Sequence, residues 1–136
     1  MKQITVFFLF LMLTGMYSPC HAKITAGHLT CEYFTKPVAI DHQIPKLGWI
    51  IQSDEYGITQ SAYRIMVADD IGSLAGDSGN IWDSGKIGSD CSIQVPYGGQ
   101  PLGSGKKYYW KVKVWDQSGR ESAWSEISSW QMGLLH

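Results

Sequence analysis

The sequence has almost no charge imbalance: eleven Lys and Arg stand against twelve Asp and Glu, a formal net charge of −1 at pH 7. That balance offers no field for nucleic acid or an acidic membrane surface. Histidines are scarce, and of the four, His28 and His42 sit in separate connections and gather no ligand set, so no metal site is expected. There is no Gly-x-Ser-x-Gly nucleophile elbow. The Gly-rich stretch Gly98–Gly105 does not lie between a strand and a helix, so it reads as a loop and not as a phosphate cradle. A helical period, an internal repeat and a low-complexity linker are all absent, and no cofactor is implied.

Long apolar runs are also missing, with one exception. Ile4 to Leu13 is apolar except for Thr5, follows the positive Lys2, and precedes the small-residue site Cys20-His21-Ala22. It is too short to span a bilayer, which takes roughly 20 apolar residues. Tyr17-Ser18-Pro19 match a lipoprotein box poorly. Met1–Ala22 is therefore expected to be an export signal cut between Ala22 and Lys23, giving a periplasmic or secreted product with no membrane attachment after removal.

Residues 23–136 suffice for one domain. This part holds two cysteines, Cys31 and Cys91. Export permits a disulfide. Both are expected on strands that flank the same central strand, however, and two spacings of about 4.8 Å exceed bridging distance. Two buried free thiols are expected.

What the sequence has is aromatic residues in alternation, with six Trp and seven Tyr in the whole chain. In Lys106–Trp115, Tyr108, Trp110, Val112 and Val114 point one way, and Tyr109, Lys111, Lys113 and Trp115 the other. That is a central strand with one dry and one solvated face. Asp116-Gln117-Ser118-Gly119 ends it with turn chemistry, and Trp124–Met132 reads as the return strand. Further strands are expected around Leu29–Tyr33, Leu47–Ile51, Gln60–Asp69, Ile81–Gly85 and Ile93–Tyr97. Asp69–Asn80 is a polar loop, and Pro96 marks an edge or a strand end. Leu102 stands six residues before Tyr108, the spacing of a tyrosine corner, and Trp49 faces the core. The fold class is all-β: a seven-stranded antiparallel β-sandwich, fibronectin type III or immunoglobulin-like.

Candidate chemistry is thin. Asp69, Asp70 and Asp83 lie at turns, as do Asp54 and Glu55, and read as turn-formers rather than catalysts. The outward rings Tyr109, Trp115 and Trp124 are the candidates for partner contact, because flat aromatic faces accept sugars and cations. The competing reading is a cation–π ladder with Lys111, Lys113 or Arg120. Ala123-Trp124-Ser125 resembles half of the ladder motif of cytokine-receptor fibronectin modules, without its doubled Trp-Ser pattern.

Leu29-Thr30-Cys31-Glu32-Tyr33, Leu47-Gly48-Trp49, Gln60–Ile65, Ile81-Trp82-Asp83-Ser84-Gly85-Lys86, Val95-Pro96-Tyr97, Tyr109-Trp110-Lys111-Val112 and Ser122–Glu126 occur in that order. Together they resemble the N-terminal fibronectin-III-like module of bacterial α-L-rhamnosidases, glycoside hydrolase family 78. The resemblance implies a non-catalytic module of an exported enzyme that hydrolyses terminal α-L-rhamnosyl residues. Inversion uses two carboxylates about 6.5–9.5 Å apart, and the family carries them in a separate barrel, so no catalytic residue is expected here. The implied partners are the remaining modules of the parent glycosidase, and plant or polysaccharide glycans. The alternative is a free-standing secreted carbohydrate-binding or adhesion-type module. The reading frame beyond His136 would separate the two.

Overall fold

A computed structural model describes residues 24–135. The expected export signal and its Ala22–Lys23 cleavage site lie outside the described residues. Seven strands form two antiparallel sheets: β1 (Thr25–Cys31), β2 (Lys46–Gln52), β3 (Gln60–Ala68), β4 (Trp82–Asp83), β5 (Val95–Pro96), β6 (Lys107–Asp116) and β7 (Ser128–Gln131). One sheet has the order β1-β2-β5 and the other β4-β3-β6-β7. This is the sandwich the alternation predicts.

The inward stripes pack face to face. Ile65 and Val67 on β3 and Trp110, Val112 and Val114 on β6 meet Leu47 and Trp49 on β2, all almost fully buried. Trp49 Nε1 donates to Gln60 Oε1 at 2.9 Å, and the Gln60 amide donates to the carbonyls of Ser89 (3.0 Å) and Cys91 (2.8 Å). A buried indole N–H thus finds an acceptor, which in turn ties down the loop before β5. Tyr108 accepts a hydrogen bond from the Gly103 amide at 2.8 Å, forming the tyrosine corner.

Between β1 and β2 the chain changes sheets. Residues 37–40 run beside β7: Gln131 N–H donates to Pro37 (3.0 Å), Ile40 N–H to Gln131 (3.0 Å) and Gly133 N–H to Ile40 (2.8 Å). The free edge of β7 is covered there.

Five expectations need correction. β1 stops at Cys31, because Glu32 and Tyr33 adopt left-handed backbone (φ 48° and 68°) and fold Phe34 back onto Cys31. The loop after β3 contains a helical turn, α1 (Ile71–Ala75), capped by the Asp70 carboxylate accepting from Ser73 N–H at 2.9 Å. β5 covers only Val95–Pro96, since Gln94 has φ 53° and Pro96 has no amide to donate; Ile93 is exposed. Cys31 is buried and free, as expected, but Cys91 lies outside the strand and is exposed. β7 begins at Ser128, not Trp124, because residues 122–127 leave the backbone ladder.

Candidate functional site

The outer face of the four-stranded sheet brings two of the three candidate rings together. Its centre is β6, where Tyr109, Lys111, Lys113 and Trp115 project outward opposite Ala68, Met66, Arg64 and Ala62 of β3. The segment leading to β7 is laid across this face by two serines. Ser122 Oγ accepts from Val114 N–H and Ser125 Oγ from Val112 N–H, both at 3.0 Å. Their own amides donate to the same two residues' carbonyls at 2.8 Å. Two hydroxyls so replace two strand acceptors. The three-residue step between them turns Trp124 onto the sheet.

Trp124 then covers the cations. The Nζ atoms of Lys111 and Lys113 both lie 4.7 Å from its ring centroid, and the Arg64 guanidinium carbon lies 5.6 Å away. Lys111 is consequently 4 % exposed, which corrects the expectation of a solvated face. A buried ammonium needs a counter-charge, and Asp77 supplies it through a direct hydrogen bond. α1 makes this possible: Leu74 packs with Met66 and Ala68, and Asp77 follows the helix in left-handed backbone at φ 59°. The bond from Lys111 holds the Asp77 carboxyl below its ordinary pKa.

Two further ion pairs lie on this face. Arg64 grips Asp83 with two hydrogen bonds of 3.0 and 2.6 Å, which hold the Asp83 carboxyl below its usual range. Lys113 lies 3.9 Å from Glu121. Trp115 is separate from this cluster and carries Lys86 over its ring at 4.8 Å; Tyr109 packs, like Trp124, on the Met66, Ala68 and Leu74 cluster, with Lys107 5.4 Å from its ring. At the end of β6, Asp116 is 1 % exposed. Burial alone would raise its pKa, but the amides of Arg120 and Ser118 and the Arg120 guanidinium overcome this and lower it.

Every carboxylate with a displaced pKa here is displaced downward, the wrong direction for a general acid. Asp70 is a helix cap and Asp83 also closes a turn onto Gly85 N–H at 3.0 Å, so both act as turn-formers. Among the described residues no three His, Cys, Asp or Glu gather to hold a metal ion. Sequence reasoning missed Arg64 and Asp77, which complete the ladder on Trp124, and Lys86, which sits separately over Trp115. The Ser-x-x-Ser spacing of Ser122 and Ser125 was the available signal.

Comparison with known proteins places this geometry. Residues 26–136 match the family model described as the Rha78A-like, N-terminal immunoglobulin domain. An α-L-rhamnosidase of Formosa agariphila is 45 % identical over 101 residues, covering 74 % of this chain and 11 % of that protein. One from Streptomyces avermitilis is 42 % identical over 104 residues, covering 76 % and 10 %. The crystal structure of the Streptomyces avermitilis α-L-rhamnosidase complexed with L-rhamnose superposes with a TM-score of 0.76 at 39 % identity, over 84 % of this chain and 11 % of that one. The chain thus spans about a tenth of the length of these relatives, and it belongs to the Rha78A-like N-terminal immunoglobulin domain family.

Proposed function

We propose that this chain is a non-catalytic module of an exported α-L-rhamnosidase-like glycoside hydrolase, whose work is to pack against the other modules of the parent enzyme. The observation that carries this reading is the match to the N-terminal domain alone of relatives named α-L-rhamnosidase. The parent reaction is hydrolysis of terminal α-L-rhamnosyl residues. The geometry supports a scaffold role, because the outer-face acids are committed to Lys111, Arg64 and Lys113. In this reading Tyr109, Trp115 and Trp124 hold the module together through their cations and are not a sugar platform. Export rests on the Met1–Ala22 sequence.

The test is turnover of a chromogenic aryl α-L-rhamnoside by the purified chain. No hydrolysis above the buffer rate is expected. Turnover that scales with protein and survives repurification would overturn the reading.

A further inference from the structure

We infer that the pole where the chain leaves the sandwich is the docking surface for the polypeptide that follows this domain in an α-L-rhamnosidase-like parent, an inference that rests on the function proposed above. Five of the ten large apolar side chains left exposed among the described residues are Tyr33 (67 %), Phe34 (66 %), Val38 (73 %), Ile44 (56 %) and Leu134 (78 %). The hydrogen bonds gather them at one end. Cys31 pairs with Leu47, so the connection from β1 to β2 begins and ends there. Residues 37–40 are bonded along the end of β7, the Gln43 amide donates to the Leu102 carbonyl at 3.4 Å, and Leu135 N–H donates to Ser104 Oγ at 2.9 Å.

The opposite pole carries Tyr56 from the same set and is otherwise polar. There the Ser53–Gly57 turn and the turn after β6 are joined by polar contacts: Thr59 N–H to Gln117 at 3.0 Å, Gln117 to the Gly57 carbonyl at 2.9 Å, and Arg120 to Glu55 at 3.7 Å. Scattered apolar residues on a surface are ordinary, whereas a concentration at one end marks a contact. The five side chains expose on the order of 600 Å², the scale of one interdomain contact.

The occupant follows from the relatives. In them the matched domain is N-terminal and makes up about a tenth of the protein, so the polypeptide continues from this pole. A partner joined to the same chain is held at high effective concentration, so a modest apolar contact is enough to keep it docked.

The experiment joins the whole chain, in place of the matching domain, to the remainder of the Streptomyces avermitilis α-L-rhamnosidase. Thermal unfolding is followed for the fusion and for the unfused chain, with Phe34→Asp, Val38→Asp and the opposite-pole control Tyr56→Asp. Both pole variants should leave the unfused chain within about 2 °C of its Tm and lower the module's transition in the fusion by about 5 °C or more. The control should change neither. A fusion that unfolds as one coupled unit while the pole variants are silent would overturn the inference and leave the parent reading intact. A module unfolding in the fusion at its unfused temperature would defeat the parent reading and the inference with it. Dimerisation of the unfused chain that is lost in Phe34→Asp would also overturn it, giving the pole to a second copy.

Discussion

Replacing Trp124 by alanine removes a ring that three cations share. Lys111 and Lys113 stand 4.7 Å from its centroid and Arg64 stands at 5.6 Å. A desolvated cation–π contact is worth up to about 2 kcal/mol and an exposed one about 0.5–1. Lys111 is buried, so it takes the upper figure, and its two neighbours take the lower. Lost packing against the cluster of Met66, Ala68 and Leu74 adds about 1 kcal/mol. Because the contacts share one ring they do not simply add, and the expected loss is about 3 kcal/mol, or a fall in Tm of roughly 10–15 °C. Thermal and urea denaturation followed by circular dichroism measure it. A double-mutant cycle with Lys111→Met isolates the pair, with an expected coupling of about 1–2 kcal/mol. Asp77 is largely exposed, so losing Lys111 strands no buried charge. A fall in Tm of less than about 3 °C, or zero coupling, would refute the ladder as a source of stability.

Tyr108→Phe should cost about 1–2 kcal/mol, because the Gly103 amide loses its acceptor; a urea midpoint unchanged from wild type would contradict this. Iodoacetamide labelling of the native chain at pH 8, mapped by peptide mass spectrometry, should modify exposed Cys91 and spare Cys31, whose thiol burial pushes up to about 12. Below pH 9 that thiol is protonated folded and unfolded alike. Above it the unfolded chain ionises first, so Cys31 should contribute a fall in stability of about 1.4 kcal/mol per unit from pH 9 toward 12, beside a fall of the same sign from the raised phenols of Tyr97 and Tyr63, and Cys31→Ala should be shallower. The lowered carboxyls of Asp77, Asp83 and Asp116 have the opposite sign. Their stabilisation is present above the ordinary 3.8 and is lost as pH drops below it. Urea midpoints from pH 7 to 2 should show that acid fall, and Asp116→Asn should flatten it; an identical profile in the variant would count against the buried turn.

The sandwich was legible because strands with one dry face repeat every two residues. Tyr108, Trp110, Val112 and Val114 announce the inner face of β6 without knowledge of its neighbours, and the Leu102–Tyr108 spacing announces the corner. Lys111 was not legible, because its burial depends on Trp124 arriving from thirteen residues later and Asp77 from the far side of β3. Nothing local distinguishes it from Lys113. Cys91 was misplaced for a related reason: alternation from Ile93 through Tyr97 reads as a full strand, yet the left-handed backbone at Gln94 ends it. The helical turn left a local trace, since Asp70 precedes Ser73 at capping distance, but five residues are too few to show a period.

The most direct test of a scaffold held together by its own aromatic face is calorimetric titration of the purified chain with L-rhamnose and rhamnose-containing polysaccharide, alongside Trp115→Ala and Trp124→Ala. No saturable binding by the wild-type chain and a lowered Tm in both variants are expected. Saturable binding that vanishes in variants retaining wild-type stability would contradict it, and would make this face a carbohydrate site.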